Sequence, residues 1–230
     1  MSTVFISGSI KIKSLDNKVK SRLNNVISSG LNVLVGDAGG VDKSVQQYFK
    51  EKYFSTVTVY CTGSSPRNND GAWPVVNVEP PVKTKSRAYF TAKDLKMADD
   101  SDFGLMIWDC KSTGTLSNVI ELLKQRKKSV VYVSSKKAFL NITTVSDLKQ
   151  LIMQMDNESL IEAEKKISLS KKIEILSEGH FLDYPEIERT KILDKIKEHQ
   201  DVITGHQRAI VELQAQLDEL SSPMDDLFVN

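Results

Sequence analysis

Cysteine and histidine are scarce in this chain, with two and three residues respectively in a sequence of 230. So few thiols exclude a disulfide scaffold, and with so little histidine beside them no structural zinc site is expected. Cys61 and Cys110 are read as reduced, packed thiols. Net charge is nearly absent too: 31 basic residues against 30 acidic ones leave +1. No global field then draws the chain to a polyanion, and neither an anionic membrane nor nucleic acid is expected as a partner. The opening residues, MSTVFISGSI, lack a basic segment followed by a long apolar one, and no window has the length needed to span a bilayer. A cytosolic protein is predicted. What the chain does have is a hydrophobic content of 40%, enough for an ordinary core in one domain plus an appendage.

Short β-like runs alternate with helical patterns through the first two-thirds, the signature of a parallel sheet with helices on both faces. The runs are Val4 to Ile6, Leu31 to Val35, Val57 to Tyr60, Phe103 to Trp108 and Val130 to Val133. Helical stretches lie at about Leu15 to Ser29, Val41 to Lys52, Lys85 to Asp99 and Thr115 to Lys127. The fold class is therefore α/β: a Rossmann-like, doubly wound parallel sheet of about five strands. Gly63 to Pro81 is broken by Gly, Pro and Asn and is expected as a long surface loop. Thr143 to Met155 predicts a helix closing a domain over residues 1–155.

From 156 to 220 the composition turns to Glu, Lys, Ile and Leu, and a helical hairpin or coiled coil is expected. Glu158 to Ser177 is its first helix, Gly179 a stop, and Pro185 suits the first turn of a second helix reaching about Leu220. In that second helix Ile192, Ile196, His199, Ile203, His206, Ile210, Leu213, Leu217 and Leu220 recur at alternating spacings of 4 and 3. This is a heptad seam, and it predicts a homo-oligomer or packing on the first helix. His199 and His206, a heptad apart, suit register-setting better than metal binding. Residues 221–230, SSPMDDLFVN, form a tail expected to be flexible.

The most informative stretch is FGLMIWDCKSTGTLSNVIE, residues 103–121. An apolar strand ends at Trp108-Asp109, breaks into Ser112-Thr113-Gly114-Thr115, and resumes with helical periodicity. Ligands of open α/β sheets bind at strand ends, and the N–H groups of a helix's first turn favour an anion. A nucleotide or sugar-phosphate pocket follows. Gly36-Asp37-Ala38-Gly39-Gly40-Val41-Asp42 opens another helix after the second strand, where glycines permit close backbone approach and Asp42 is a candidate cap. It lacks the Gly-Lys-Ser/Thr ending of a nucleotide triphosphatase loop. Ser7-Gly8-Ser9 follows the first strand in the same way. Arg87 and Lys85 are placed to neutralise phosphate, and Trp108 either stacks on a base or packs in the core.

Together FISGS, GDAGGVDKSVQQYF and KDLKMADDSDFGLMIWDCKSTGT resemble the SLOG superfamily, specifically its YspA-like branch, over about residues 1–135. The superfamily also contains the LOG phosphoribohydrolases and DprA. The resemblance implies a nucleotide or nucleotide-derived ligand at the glycine-rich loops. It implies phosphate contacts from Gly114 and Thr115, which match the GT of the enzymes' PGGxGTxxE motif. Lys93 stands where those enzymes place an Arg upstream of the residue matched by Met97, and Asn118 stands in the place of their catalytic Glu. An amide cannot offset developing oxocarbenium charge as a carboxylate does. The expected function is accordingly binding, as a sensor or sequestering protein, with no cofactor and no metal. The alternative is a nucleoside monophosphate N-glycosidase or deoxyribosyltransferase-like enzyme using Glu121 or Asp109. A DprA-like single-stranded DNA binder is the least favoured, for want of an aromatic-basic stripe.

Overall fold

The computed structural model describes residues 1–81, 84, 86–178 and 184–221. Lys85, Gly179 and the tail from 222 lie outside the described residues. The chain divides into two compact units, Met1–Leu182 and Asp183–Asn230.

In the first unit seven strands are described: β1 (Thr3–Gly8), β2 (Asn32–Gly36), β3 (Val57–Thr62), β4 (Val75–Val78), β5 (Phe103–Trp108), β6 (Ser129–Val133) and β7 (Ala138–Ile142). They form one sheet in the order β4-β3-β2-β1-β5-β6-β7. All neighbours run parallel except β6 and β7, which are antiparallel. The expected α/β class with a Rossmann-like parallel sheet is found, with two more strands than expected. The additions are the edges. β4 lies inside the segment expected as a loop, and it shows no buried residue in its pattern. β7 returns beside β6 through a short turn and is half-exposed along most of its length. Neither carries the continuous apolar run that a strand buried on both faces requires.

Seven helices accompany the sheet: α1 (Asn17–Ser28), α2 (Val41–Glu51), α3 (Arg87–Asp100), α4 (Thr113–Lys124), α5 (Val145–Ile152), α6 (Asn157–Ile167) and α7 (Leu169–Glu178). Alternation along β1 shows how they are layered. Val4 and Ile6 join Val19, Leu23, Val45 and Phe49 of α1 and α2 on one face. Phe5 points the other way, into a core with Met97, Leu116, Val119 and Leu148 of α3, α4 and α5. Helix starts follow local chemistry. Asp16, Ser86, Ser112, Thr144 and Asp156 each accept a first-turn N–H at α1, α3, α4, α5 and α6.

Residues 157–178, expected as one arm of a hairpin, are instead two helices broken at Ser168. That residue takes a left-handed conformation, φ 50°, and the Glu164 carboxylate caps the next helix through the Ser170 amide and hydroxyl at 2.8 Å each. Ala163, Ile167, Leu169 and Leu176 enter the same core as α4 and α5. Amphipathicity alone did not say which surface the apolar stripe would cover, and it covers the α/β unit.

The second unit contains α8 (Tyr184–Ser221). Ile196, Ile203, Ile210 and Leu213 of its heptad seam are 47%, 54%, 54% and 63% exposed. Among the described residues no helix is long and apolar enough to cross a membrane.

The packing of α7 makes a direct prediction. Leu176 is 3% exposed, so Leu176→Ala should lower the unfolding free energy by about 2–4 kcal/mol through lost burial and a residual cavity. Urea unfolding followed by near-UV circular dichroism measures this; a change below about 0.5 kcal/mol would place α7 outside the cooperative core.

Candidate functional site

Strand order reverses at β1: the chain builds outward through β2 and β3, then crosses back to place β5 on the other side of β1. Loops leaving β1 and β5 therefore diverge and open a crevice at the carboxyl ends of the strands. Ser7 to Ser9, Gly36 to Asp42 and Asp109 to Thr115 all lie at that end, so the loops singled out in the sequence converge.

Two of these glycines are required by close approach. A Cβ on Gly36 would lie 2.3 Å from the Asp42 carboxylate and 2.4 Å from Lys93 Nζ. Gly40 has φ +72°, and its Cβ would meet the Ile10 carbonyl oxygen at 2.3 Å. Around Gly36 sits a buried polar network. Asp42 accepts from the Ser7 hydroxyl at 3.4 Å and from the Ala38 amide at 3.3 Å, and faces Lys93 Nζ at 3.8 Å. Asn118 donates to Ser7 Oγ at 3.4 Å. Lys93 itself pairs with Asp94 at 2.7 Å.

The electrostatics follow from those distances. Burial opposes the charge on Lys93, but the carboxylates of Asp94 and Asp42 overcome it and raise its pKa. At Asp42 burial wins over the attraction of Lys93, and the pKa is pushed up to about 6. The ammonium is committed to the nearer Asp94, which leaves Asp42 short of a counterion. Asp37 has a partner to itself. Burial opposes its ionisation, yet hydrogen bonds from Arg67 hold its carboxyl below the ordinary value. Arg67 donates through Nε at 2.9 Å, through a terminal nitrogen at 2.7 Å and through its backbone amide at 3.0 Å.

A second network organises the β5 loop. Asp109 accepts from Ser9 Oγ at 2.8 Å and from the amides of Lys111 and Ser112 at 3.0 and 2.7 Å. Ser9 Oγ also receives the Asp109 amide at 3.1 Å. Cys110 bends between them with φ 65°. Ser112 caps α4, accepting from the Thr115 amide at 3.4 Å and the Thr115 hydroxyl at 3.1 Å. Thr113 and Gly114 then begin the helix, where backbone N–H groups have no acceptor within the helix. Beside Gly114 an added Cβ would meet only Ser112 Oγ, at 3.9 Å.

Arg87 crosses from α3 to this turn, donating to Thr113 Oγ1 at 3.2 Å, to the Thr113 carbonyl at 3.4 Å and to Ser117 Oγ at 3.3 Å. The first turn of α4 contains no acidic residue, so the guanidinium adds to the positive end of the helix dipole. Deeper along α4 lies a cavity of about 340 Å³. Arg87, Lys166 and Lys172 line it with Asn118, Glu121 and Asp94. Burial lowers the pKa of Lys172, opposed by Glu121 and reinforced by Arg87 and Lys124. Asp94 is paired to Lys93 and Lys166 to Glu162, which leaves Arg87 and Lys172 facing Glu121 in the lining.

The structure thus separates the candidates. Ser7, Asp42, Lys93 and Asn118 meet in one buried cluster, and Ser9, Asp109, Ser112 and Thr115 in another. Trp108 is 1% exposed and donates its indole N–H to the Ser112 carbonyl at 3.0 Å. It is a core residue, with no face for a base. Asp109 holds the loop through one carboxylate oxygen, Oδ1, which takes all three of its hydrogen bonds. Asp42, a candidate cap, instead folds back on the loop; the α2 N-cap is Gly40, without a side-chain bond. Gly39 lies in that turn with Lys13 Nζ 3.9 Å from its added Cβ. Sequence reasoning missed Arg67, Asp94, Ser117 and Lys172. Arg67 lies in the segment expected as a long surface loop, but no local pattern pairs it with Asp37 across 30 residues.

No model of a known protein family matches the chain, and no curated protein matches it. Among solved structures it is similar to DNA processing protein A from Helicobacter pylori, a study of that protein's single-stranded DNA binding mode, at 20% identity and a TM-score of 0.44. The match covers 56% of this chain and 64% of that one, so the chain spans less than two-thirds of that protein's length. The likeness concerns the fold. One expectation is corrected on this finding: nucleic acid does not stand excluded as a partner, since the similar structure is that of a single-stranded DNA binder. Net charge averages over the whole surface and says nothing of local clusters such as that lining the cavity.

The elevated pKa of Asp42 sets a pH dependence. Its folded value, about 6, lies above the ordinary aspartate value of 3.8. Its contribution is therefore fully present below about pH 4 and lost as pH rises through about 6. The upper limit is about 3 kcal/mol. Asp42→Asn keeps an acceptor for the Ala38 amide and removes the charge. It should be more stable than the parent at pH 7.5, by up to several degrees in Tm, and the gain should shrink toward pH 4.5. Calorimetry at both pH values decides; an equal difference at each would show that Asp42 stays ionised throughout.

Proposed function

We propose that the protein is a cytoplasmic binder of a nucleotide or nucleotide-derived small molecule, a sensor or sequestering protein of the SLOG type. The phosphate sits at the first turn of α4 against Thr113, Gly114 and Arg87, and the nucleoside half lies along the cavity beside Asn118 and Glu121. The observation that carries this reading is Arg87, whose guanidinium bonds Thr113 at the start of a helix that has no acidic residue in its first turn. Positive charge concentrated there favours an anion. The span from Thr113 to Glu121 on α4 is about 12 Å, matched to an elongated ligand with one charged end. The cavity volume of about 340 Å³ falls in the range of small-molecule sites. The same proposal has the chain assemble with copies of itself through its C-terminal helical region.

One observation favours the enzymatic alternative, a nucleoside monophosphate N-glycosidase. Glu121 lines the cavity one helical turn beyond Asn118 and would be its carboxylate. It is already engaged, accepting from Gln125 at 3.0 Å and facing Lys124 at 3.7 Å, which supports binding over turnover.

Thermal shift with nucleoside mono- and diphosphates, cyclic dinucleotides and short single-stranded oligonucleotides tests the site. A ligand at 100 times its Kd should stabilise by about 2.7 kcal/mol, raising Tm by about 5–10 °C. Gly114→Asp adds a negative charge in the open space before the helix and should abolish the shift. No stabilisation across the panel, or an undiminished shift in the variant, would overturn the assignment.

Base release from the same monophosphates, followed chromatographically, separates the two readings. None is expected above the uncatalysed rate, whereas release lost in Glu121→Gln would establish the enzyme.

A further inference from the structure

The exposed seam of α8 has a composition that selects its own occupant. Placing Ile196, Ile203, Ile210 and Leu217 at a positions puts His199, His206 and Leu213 at d. The flanking e positions are then Gln200, Gln207 and Gln214, and the g positions Val202, Ala209 and Gln216. From Ile196 to Leu217 no a, d, e or g position carries a carboxylate, an ammonium or a guanidinium. The charges, Lys197, Glu198, Asp201, Arg208 and Glu212, all fall on the b, c and f positions. Gly205 also falls there, with nothing within 4 Å of an added Cβ, so its cost to the helix does not enter the seam.

We propose that α8 pairs with α8 of a second copy of this chain as a parallel, in-register, two-stranded coiled coil in which His199 and His206 form two adjacent layers. The proposal rests on the assembly reading above and gives it a helix, a number and an orientation. Three features select this arrangement. A heterotypic partner is ordinarily chosen by opposite charges across e and g, and this seam offers none; a second copy brings the same neutral flanks and meets no like charge. β-Branched isoleucine at three consecutive a positions, with leucine at d in the last of these heptads (Leu213), favours two parallel strands. In an antiparallel pair centred on the seam, each histidine would face an isoleucine, leaving imidazole nitrogens without a polar neighbour; in parallel register imidazole meets imidazole and can donate to it.

The histidine layers make the pairing acid-sensitive. In the parallel arrangement His199 is surrounded by Ile196, Gln200, Ile203 and His199 of the second copy, and His206 by Ile203, Gln207, Ile210 and His206 of the second copy. Glu198 and Asp201 flank His199 on the outward c and f positions, and the charge beside the seam is Lys195, a cation at the preceding g position one turn before His199. No carboxylate is within the layers to receive a proton's charge, so protonation places cations against cations and disfavours association.

The full chain carrying Leu213→Cys, purified reduced and then air-oxidised at pH 8, tests the arrangement, with light scattering run alongside. Expected are a dimer mass for the parent chain and a disulfide-linked dimer for the variant, because two d-position residues in register face each other. The parent's Cys61 and Cys110 are buried and should give no covalent dimer. A monomer mass would overturn assembly and proposal together. A trimer or larger mass, or a dimer in which Leu213→Cys links only to an Ile196→Cys chain, would leave assembly standing and overturn the parallel pair. Ile203→Asp with Ile210→Asp should give a monomer while the circular dichroism of the α/β unit stays unchanged. Between pH 8 and 5.5 the parent should dissociate and His199→Leu with His206→Leu should not; a parent dimer equally strong at both pH values would overturn the stacked histidine layers.

Discussion

Lys93 is the pivot on which the crevice is assembled. Its ammonium reaches from α3 past Gly36 of β2 to Asp42 of α2, while Asp94 holds it from its own helix. Helices α2 and α3, which cover opposite faces of the sheet, and the end of strand β2 are thereby tied at one buried point. Such a cluster adds little to net stability, since desolvation offsets most of the attraction, but removing the Lys93 ammonium would leave the buried Asp42 carboxylate uncompensated and be costly. The absence of a side chain at Gly36 is part of the same arrangement: a methyl group there would occupy the space of the charged atoms. The cluster is therefore a constraint on geometry, fixing how close α3 and α2 stand to the strand ends, and hence how wide the crevice is.

That constraint explains an asymmetry between the two loop networks. The β5 loop satisfies itself: Asp109 gathers the amides of Lys111 and Ser112, and Ser9 braces it from β1. The first-turn amides left over belong to Thr113 and Gly114, and the group brought toward them is the Arg87 cation. A helix start in isolation is normally neutralised by an acidic residue or a polar cap. Here the cap is present and the acid is replaced by a base. The loop's own carboxylate thus stabilises the turn without filling the space beside Gly114.

Sequence legibility followed burial. β1, β2, β3, β5 and β6 were visible because central strands of a parallel sheet are apolar on both faces, whereas β4 and β7 sit at the edges and alternate with polar residues. At the site the glycine turns and the GT helix start were legible because backbone geometry restricts which residues fit there. The partners that decide the electrostatics were not. Arg67 finds Asp37, and Arg87 finds Thr113, only through tertiary folding, so nothing local in the sequence marks them. Trp108 illustrates the opposite error: an aromatic at a strand end looks like a stacking platform, yet the strand is central and the following helix covers it.

The two helical segments after β7 obeyed different physics despite similar composition. The stripe of α6 and α7 is interrupted at Ser168, and the change of direction there lets Ala163, Ile167, Leu169 and Leu176 meet one curved surface of the α/β unit. The seam of α8 has no such break between Ile196 and Leu217. An unbroken heptad gives an apolar line that winds slowly about the helix, by about 20° per heptad, and mutual supercoiling with another long helix keeps it at the contact. Periodicity alone predicts helix in both cases. It is the interruption, or its absence, that distinguishes a stripe suited to a globular core from one suited to a long helical partner.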